Sequence, residues 1–208
     1  MDPVDTITET AEAESAGEAN DRFRNRVAVF IAALAAVLAL GGLGGGNATD
    51  DMIRSNILAS DTWAFFQAKN VRQTAYQIAA DELRREIGSG GLSGEAKAAA
   101  ERTLADYEAR IARYDDEPDA DNPNDPTAGE GKKQLAARAE AMEKAREAAE
   151  ARDGNFDLAE VFLQLAIVLA SVSILALSRP VLIVSAVAGG LGLLLTLNGF
   201  LLLAPLPI

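Results

Sequence analysis

Three long stretches without charge decide what this chain can become. Residues 27–46, VAVFIAALAAVLALGGLGGG, run 20 positions uncharged. Residues 161–178, VFLQLAIVLASVSILALS, run 18, and Leu158 and Ala159 extend that stretch on the far side of Glu160. Residues 181–208 hold no charge at all. Crossing the hydrocarbon of a bilayer takes about 20 apolar residues in helical form. The apolar residues are clustered here and not spread periodically, which a soluble core helix would not require. The sequence therefore predicts three transmembrane helices, at residues 27–46, 158–178 and 181–204. The first is a retained anchor and not a leader, because it starts at residue 27 behind an acidic tail and ends in glycines without an A-x-A site.

The polar remainder is strongly acidic. Net charge is −12, with no histidine and no cysteine among 208 residues. That excludes disulfides, zinc held by Cys or His, and any nucleophile paired with His. An acidic surface repels phosphate backbones, so nucleic acid is not an expected partner. Apart from Glu160 at the edge of the second, no Asp, Glu, Lys or Arg lies inside a predicted span, which disfavours a proton or ion pathway. We expect no cofactor, no metal, no small-molecule substrate and no enzymatic activity.

Residues 1–26 read as an acidic, disordered tail whose membrane-proximal end, DRFRNR, is basic. Arg22, Arg24 and Arg26 precede the first span, and Arg179 lies in the short turn between the second and third. The positive-inside rule then predicts a cytoplasmic N-terminus and a periplasmic or extracellular segment at residues 47–157. Within that segment the pattern predicts helices at about 51–87, 95–114 and 132–153. Asn47, Thr49 and Asp50 are candidate caps for the first and Ser93 for the second. Residues 115–131, DDEPDADNPNDPTAGEG, read as an acidic loop. At about 1.5 Å per residue the outgoing arm is ~55 Å and the two return pieces ~68 Å together, so the expected form is a long antiparallel, coiled-coil-like hairpin, with a compact three-helix bundle as the alternative. The fold class is all-α: an integral membrane protein with three transmembrane helices and an extramembrane helical hairpin.

The least ordinary stretch is DTWAFFQAKNVRQTAYQIAAD, residues 61–81. Ile53, Ile57, Ala64, Ala68, Val71, Ala75 and Ile78 form a thin apolar stripe that allows close helix approach but contributes little burial, so packing against other copies or a partner is attractive. Trp63, Phe65, Phe66, Lys69, Asn70, Arg72, Gln73 and Tyr76 cover the remaining faces. Aromatic and arginine side chains dominate interface energetics. These eight are the candidate interface residues, with packing against the return arm as the competing account. In the spans, Gly41/Gly45, Ser185/Gly189 and Gly192 have the small-residue spacing of close helix contact. Gln164 and Asn198 are expected to hydrogen-bond between spans.

The arrangement of Trp63, Phe65, Gln67-Ala68-Lys69, Arg72-Gln73 and Tyr76, with AAD at 79–81, resembles a bacterial membrane-protein family described only as a domain of unknown function. The resemblance implies a bacterial source, an inner membrane and this same order of tail, span, charged helices and two-span hairpin. It departs at residues 115–131, where the family would continue as helix. It implies no activity.

Residues 119–130 have some character of a calcium loop, with Glu130 at the twelfth position. However, Asn124 stands where glycine is needed and Pro123 at a ligand position, so a solvated acidic loop is the better reading. GGLGGG lacks the Lys and Ser/Thr of a phosphate loop. The functional expectation is a structural or scaffolding protein anchored in the bilayer that forms a homo-oligomer or docks a membrane-protein partner. The alternative is an accessory or sensor subunit of a transporter or envelope complex.

Overall fold

A computed structural model describes residues 3–204, with side chains from Gly17 onward. It contains four helices: α1 (Pro3–Gly88), α2 (Gly94–Asp115), α3 (Lys132–Ala176) and α4 (Arg179–Leu201). Three of them, α1, α3 and α4, are long and apolar enough to cross a membrane. The first 16 side chains of the expected disordered tail lie outside the described residues, and residues 17–26 are helical. The chain divides into two compact units. One comprises Met1–Asp50 with Ala148–Ile208, the other Asp51–Glu147.

Two expected breaks are absent. Asn47, Thr49 and Asp50 do not cap a new helix, because α1 runs straight through the glycine cluster. Gly154 and Asn155 do not loosen a junction, because α3 is continuous from Lys132 to Ala176. The reason is packing. Gly44 and Gly45 lie on the α1 face turned toward Phe156 of α3, and a Cβ at Gly45 would sit 3.2 Å from the Phe156 Cβ. The glycines make room for a ring and do not end the helix. Thr49 donates to the Gly45 carbonyl at 3.1 Å and to the Asp153 carboxylate at 2.8 Å, so its hydroxyl ties α1 to α3.

The first unit packs through small residues. On α4 the buried positions are Ser185, Ala188, Gly189, Gly192, Thr196 and Gly199, one face at steps of three and four. A Cβ added at Gly189 would meet Leu34, and one at Gly192 would meet Leu163. Leu34, Leu163, Ala166 and Ala188 form the buried cluster where α1, α3 and α4 meet. Ser185 donates to the Ala166 carbonyl at 2.6 Å. Asn198 donates to Asn155, which is 1% exposed and itself donates to the Ala151 carbonyl. Gln164 departs from expectation. It is exposed and reaches only Glu160, one turn back on its own helix, so it joins no second helix. The outward faces are apolar throughout, with Val29, Val168, Leu175, Val187 and Leu194 among many exposed aliphatic side chains. Water tolerates no apolar surface of that extent on a monomer.

The glycines sort themselves into two classes that mutation distinguishes. At Gly199 an added Cβ would lie 2.7 Å from the Phe156 ring, whereas at Gly42 and Gly46 it would meet nothing within 4 Å. Gly199→Ala and Gly44→Ala should each cost about 1–3 kcal/mol through overpacking. Gly42→Ala and Gly46→Ala should be neutral or stabilising by up to about 1 kcal/mol from helix propensity. Denaturant titration of the detergent-solubilised protein, followed by circular dichroism, checks this. Equal effects at all four positions would refute the packing assignment.

Candidate functional site

The second unit contains the stretch 61–81, whose apolar stripe and polar-aromatic face differ in exposure. Ile53, Ile57, Val71 and Ile78 are 49–67% exposed, and Ala64, Ala68 and Ala75 are exposed with them. The apolar stripe therefore faces outward. The inward face holds Ala59, Trp63, Phe66, Lys69, Asn70, Gln73, Tyr76 and Ala80, each buried or half-buried. Of the eight candidate interface residues, six belong to this packed face, and only Phe65 and Arg72 are exposed.

The inward polar and aromatic side chains have specific partners. Trp63 donates from Nε1 to Glu143 on α3 at 2.8 Å and meets Phe66 edge-on at 5.4 Å between ring centres. Lys132 donates to Asn70 and lies over the Phe66 ring. Gln73, 5% exposed, donates to the Ile111 carbonyl of α2 at 2.9 Å. Tyr76 stacks obliquely on Tyr107 and Tyr114, with Arg110 over its ring. Lys69 is 4% exposed. Its ammonium donates to the Glu130 carbonyl, faces the carboxylates of Glu130 at 3.4 Å and Glu117 at 3.8 Å, and lies over Phe65 and Tyr114. Long amphipathic side chains bury their stems while their polar tips find partners, which is why an alanine-and-amide face can be the inner one.

Lys69 thereby clamps both ends of the loop between α2 and α3. Pro118 and Gly129 pair in a one-rung antiparallel bridge, and the Glu130 amide donates to the Glu117 carbonyl at 2.9 Å. Gly129 has φ +122, a conformation that side chains rarely adopt. Arg138 donates to the carbonyls of Thr127 and Gly129. Asp119 accepts from the amides of Asp121 and Asn122, and Asp125 from the amide and hydroxyl of Thr127. These carboxylates fold the loop upon itself. A small cavity of about 240 Å³ beside Lys69 is bordered by Arg72, Arg110 and Arg113. Arg110 pairs with Asp106 and Arg113 with Glu117.

The loop's charges are tuned by the same contacts. Hydrogen bonds from Gln134 and then Lys133 hold the Asp116 carboxyl below its ordinary value. Those from Thr127 do the same for Asp125. Asp116 in turn raises the Lys133 ammonium.

Membership follows from comparison with known families. The model of a family described as a domain of unknown function, DUF4337, matches residues 23–202. The chain belongs to this family. No curated protein and no solved structure matches it. The matched region takes in both compact units.

Two outcomes follow for the loop clamp. Lys69→Met keeps the packing but removes the ammonium from the Glu130 carbonyl and two carboxylates, and should cost about 1.5–3 kcal/mol. Arg113→Met removes an exposed pair and should cost under about 1 kcal/mol. Chemical denaturation curves that fall together would show that burial of the ammonium is immaterial. The second outcome concerns pH. Lowered carboxyl values mean that Asp116 and Asp125 contribute fully above the ordinary carboxylate range, about 4, and lose their contribution as pH falls through their folded values. Lys133 works oppositely. Its contribution is complete below about 10.4 and disappears as pH rises through its raised folded value. The melting temperature should drop on acidification, and the drop should be shallower in Asp116→Asn. Parallel acid profiles for the two proteins would contradict this.

Proposed function

We propose that this protein is a membrane-anchored scaffold, held in the bilayer by α1, α3 and α4, that self-associates through the outer face of α1. The observation that carries the reading is the stripe Ile53, Ile57, Ala64, Val71 and Ile78, apolar and exposed on a helix whose opposite face is fully engaged within its own unit. Water disfavours such a stripe at about 25 cal/mol per Å² of apolar area.

Heptad arithmetic selects a second copy as the occupant. Ile57, Ala64, Val71 and Ile78 recur every seven residues. Set antiparallel, Ile57 faces Ile78 and Ala64 faces Val71, and each contact occurs twice about a twofold axis. In that alignment Arg54 of one copy lies beside Glu82 of the other on the flank of the seam. Neither Arg54 nor Glu82 belongs to an ion pair within 4 Å among the described residues. Ala64, Ala68 and Ala75 let the two backbones approach closely. The reading includes a bacterial inner membrane, with the N-terminus cytoplasmic because Arg22, Arg24, Arg26 and Arg179 flank the apolar stretches.

Native mass in nanodiscs, by light scattering, tests this. The expected result is a discrete multiple of 21.8 kDa that Val71→Glu reduces to one copy. Arg54→Glu should weaken the assembly, and Arg54→Glu with Glu82→Arg should restore it. Trp63→Ala should lower the melting temperature and leave the mass unchanged. A monomer at all concentrations would overturn self-association, and capture of a different membrane protein through this face would favour an accessory subunit.

A further inference from the structure

The first unit contains a cleft unlike the rest of this acidic chain. Arg22 and Arg26 are one turn apart on α1 and share a face, and Arg179 opens α4 ahead of Pro180. The three guanidinium groups border a cavity of about 690 Å³ whose body is apolar, lined by Phe30, Leu182 and Ile183 among others. Arg24 points elsewhere and pairs with Asp21. Arg26 and Arg179 are in no ion pair within the described residues, and Arg22 makes only exposed contacts with Glu18, to its carbonyl at 3.2 Å and its carboxylate at 3.3 Å. Such a surface pair is weak. Three arginines thus share one cleft, two of them without a counter-charge among the described residues, in a chain of net charge −12.

We infer that this cleft binds an anionic phospholipid, its phosphodiester on Arg22, Arg26 and Arg179 and an acyl chain along Phe30, Leu182 and Ile183. Guanidinium groups recognise phosphate oxygens through paired, charge-assisted hydrogen bonds. Basic pockets between membrane helices suit lipid head groups. The apolar body separates this ligand from a free anion. Inorganic phosphate would satisfy the arginines and leave the cleft floor against water, whereas a lipid satisfies both. Bound lipid would also join α1 near Arg22 and Arg26 to the start of α4. The inference rests on the membrane reading above.

Native mass spectrometry of the full chain, released from micelles doped with phosphatidylglycerol or phosphatidylcholine, tests it. The expected result is preferential retention of phosphatidylglycerol, reduced roughly tenfold or more in Arg26→Gln/Arg179→Gln. Arg24→Gln should leave retention unchanged, and millimolar inorganic phosphate should not displace the lipid. Circular dichroism confirms that the double variant is folded. Should it unfold, Ile183→Asn, which blocks the apolar body and keeps the charges, must lower retention instead. Equal retention of the two lipids, an indifferent double variant or full displacement by phosphate would each overturn the site. Failure of the membrane reading would look different: the chain would be soluble without detergent.

Discussion

The ring of Phe156 is the fixed point of the apolar unit. It is 4% exposed, meets Phe200 edge-on at 4.9 Å and occupies the space that side chains at Gly44 and Gly199 would fill. Because the glycines of α1 receive the ring, they remain helical. Because they remain helical, α1 has no break at residues 41–46. A break would also release backbone groups that need new partners, so continuity is the cheaper backbone state. Ser185, Asn155 and Thr49 then tie the helices together with hydrogen bonds. No buried side-chain nitrogen or oxygen among the described residues lacks a partner.

Lys69 has the equivalent place in the second unit. One ammonium meets the carbonyl of Glu130, the carboxylate of Glu117 and two aromatic faces. It closes residues 116–131 as an ordered appendage, not an open loop. Around it, Trp63, Gln73 and Tyr76 make the contacts that join α1 to α2 and α3. A helix whose polar-aromatic face is consumed in this way must present its aliphatic face to the outside. The exposed aliphatic stripe is thus a consequence of internal packing, with Arg54 and Glu82 on its flanks.

Much of this was legible in the residue pattern. The three apolar stretches lie within α1, α3 and α4, the turn follows Gly88, α2 begins just after Ser93, and α3 begins at Lys132 after the loop. Charge-free length and glycine–proline punctuation are local signals, and local signals survive folding. The small-residue face of α4 was legible too, because Ser185, Gly189 and Gly192 repeat at helical spacing. The orientation of α1 in the second unit was not. Apolar periodicity identified Ile53, Ile57, Val71 and Ile78 as one face, which is correct as geometry. It could not say that Lys69 and Gln73 would find carbonyls on distant elements and that Asn70 would accept from Lys132.

The sequence by itself determined that three stretches are suited to hydrocarbon, that the remainder is helical and acidic, and that chemistry based on His or Cys is excluded. Those conclusions depend on composition and length alone. The tertiary structure decided which face of α1 is inside, that the glycine cluster is a seat for Phe156, that Asn155 and not Gln164 bonds across helices, and that Arg22, Arg26 and Arg179 converge on one cleft. Each depends on which distant groups come within hydrogen-bond or van der Waals reach, and no one-dimensional period encodes that distance.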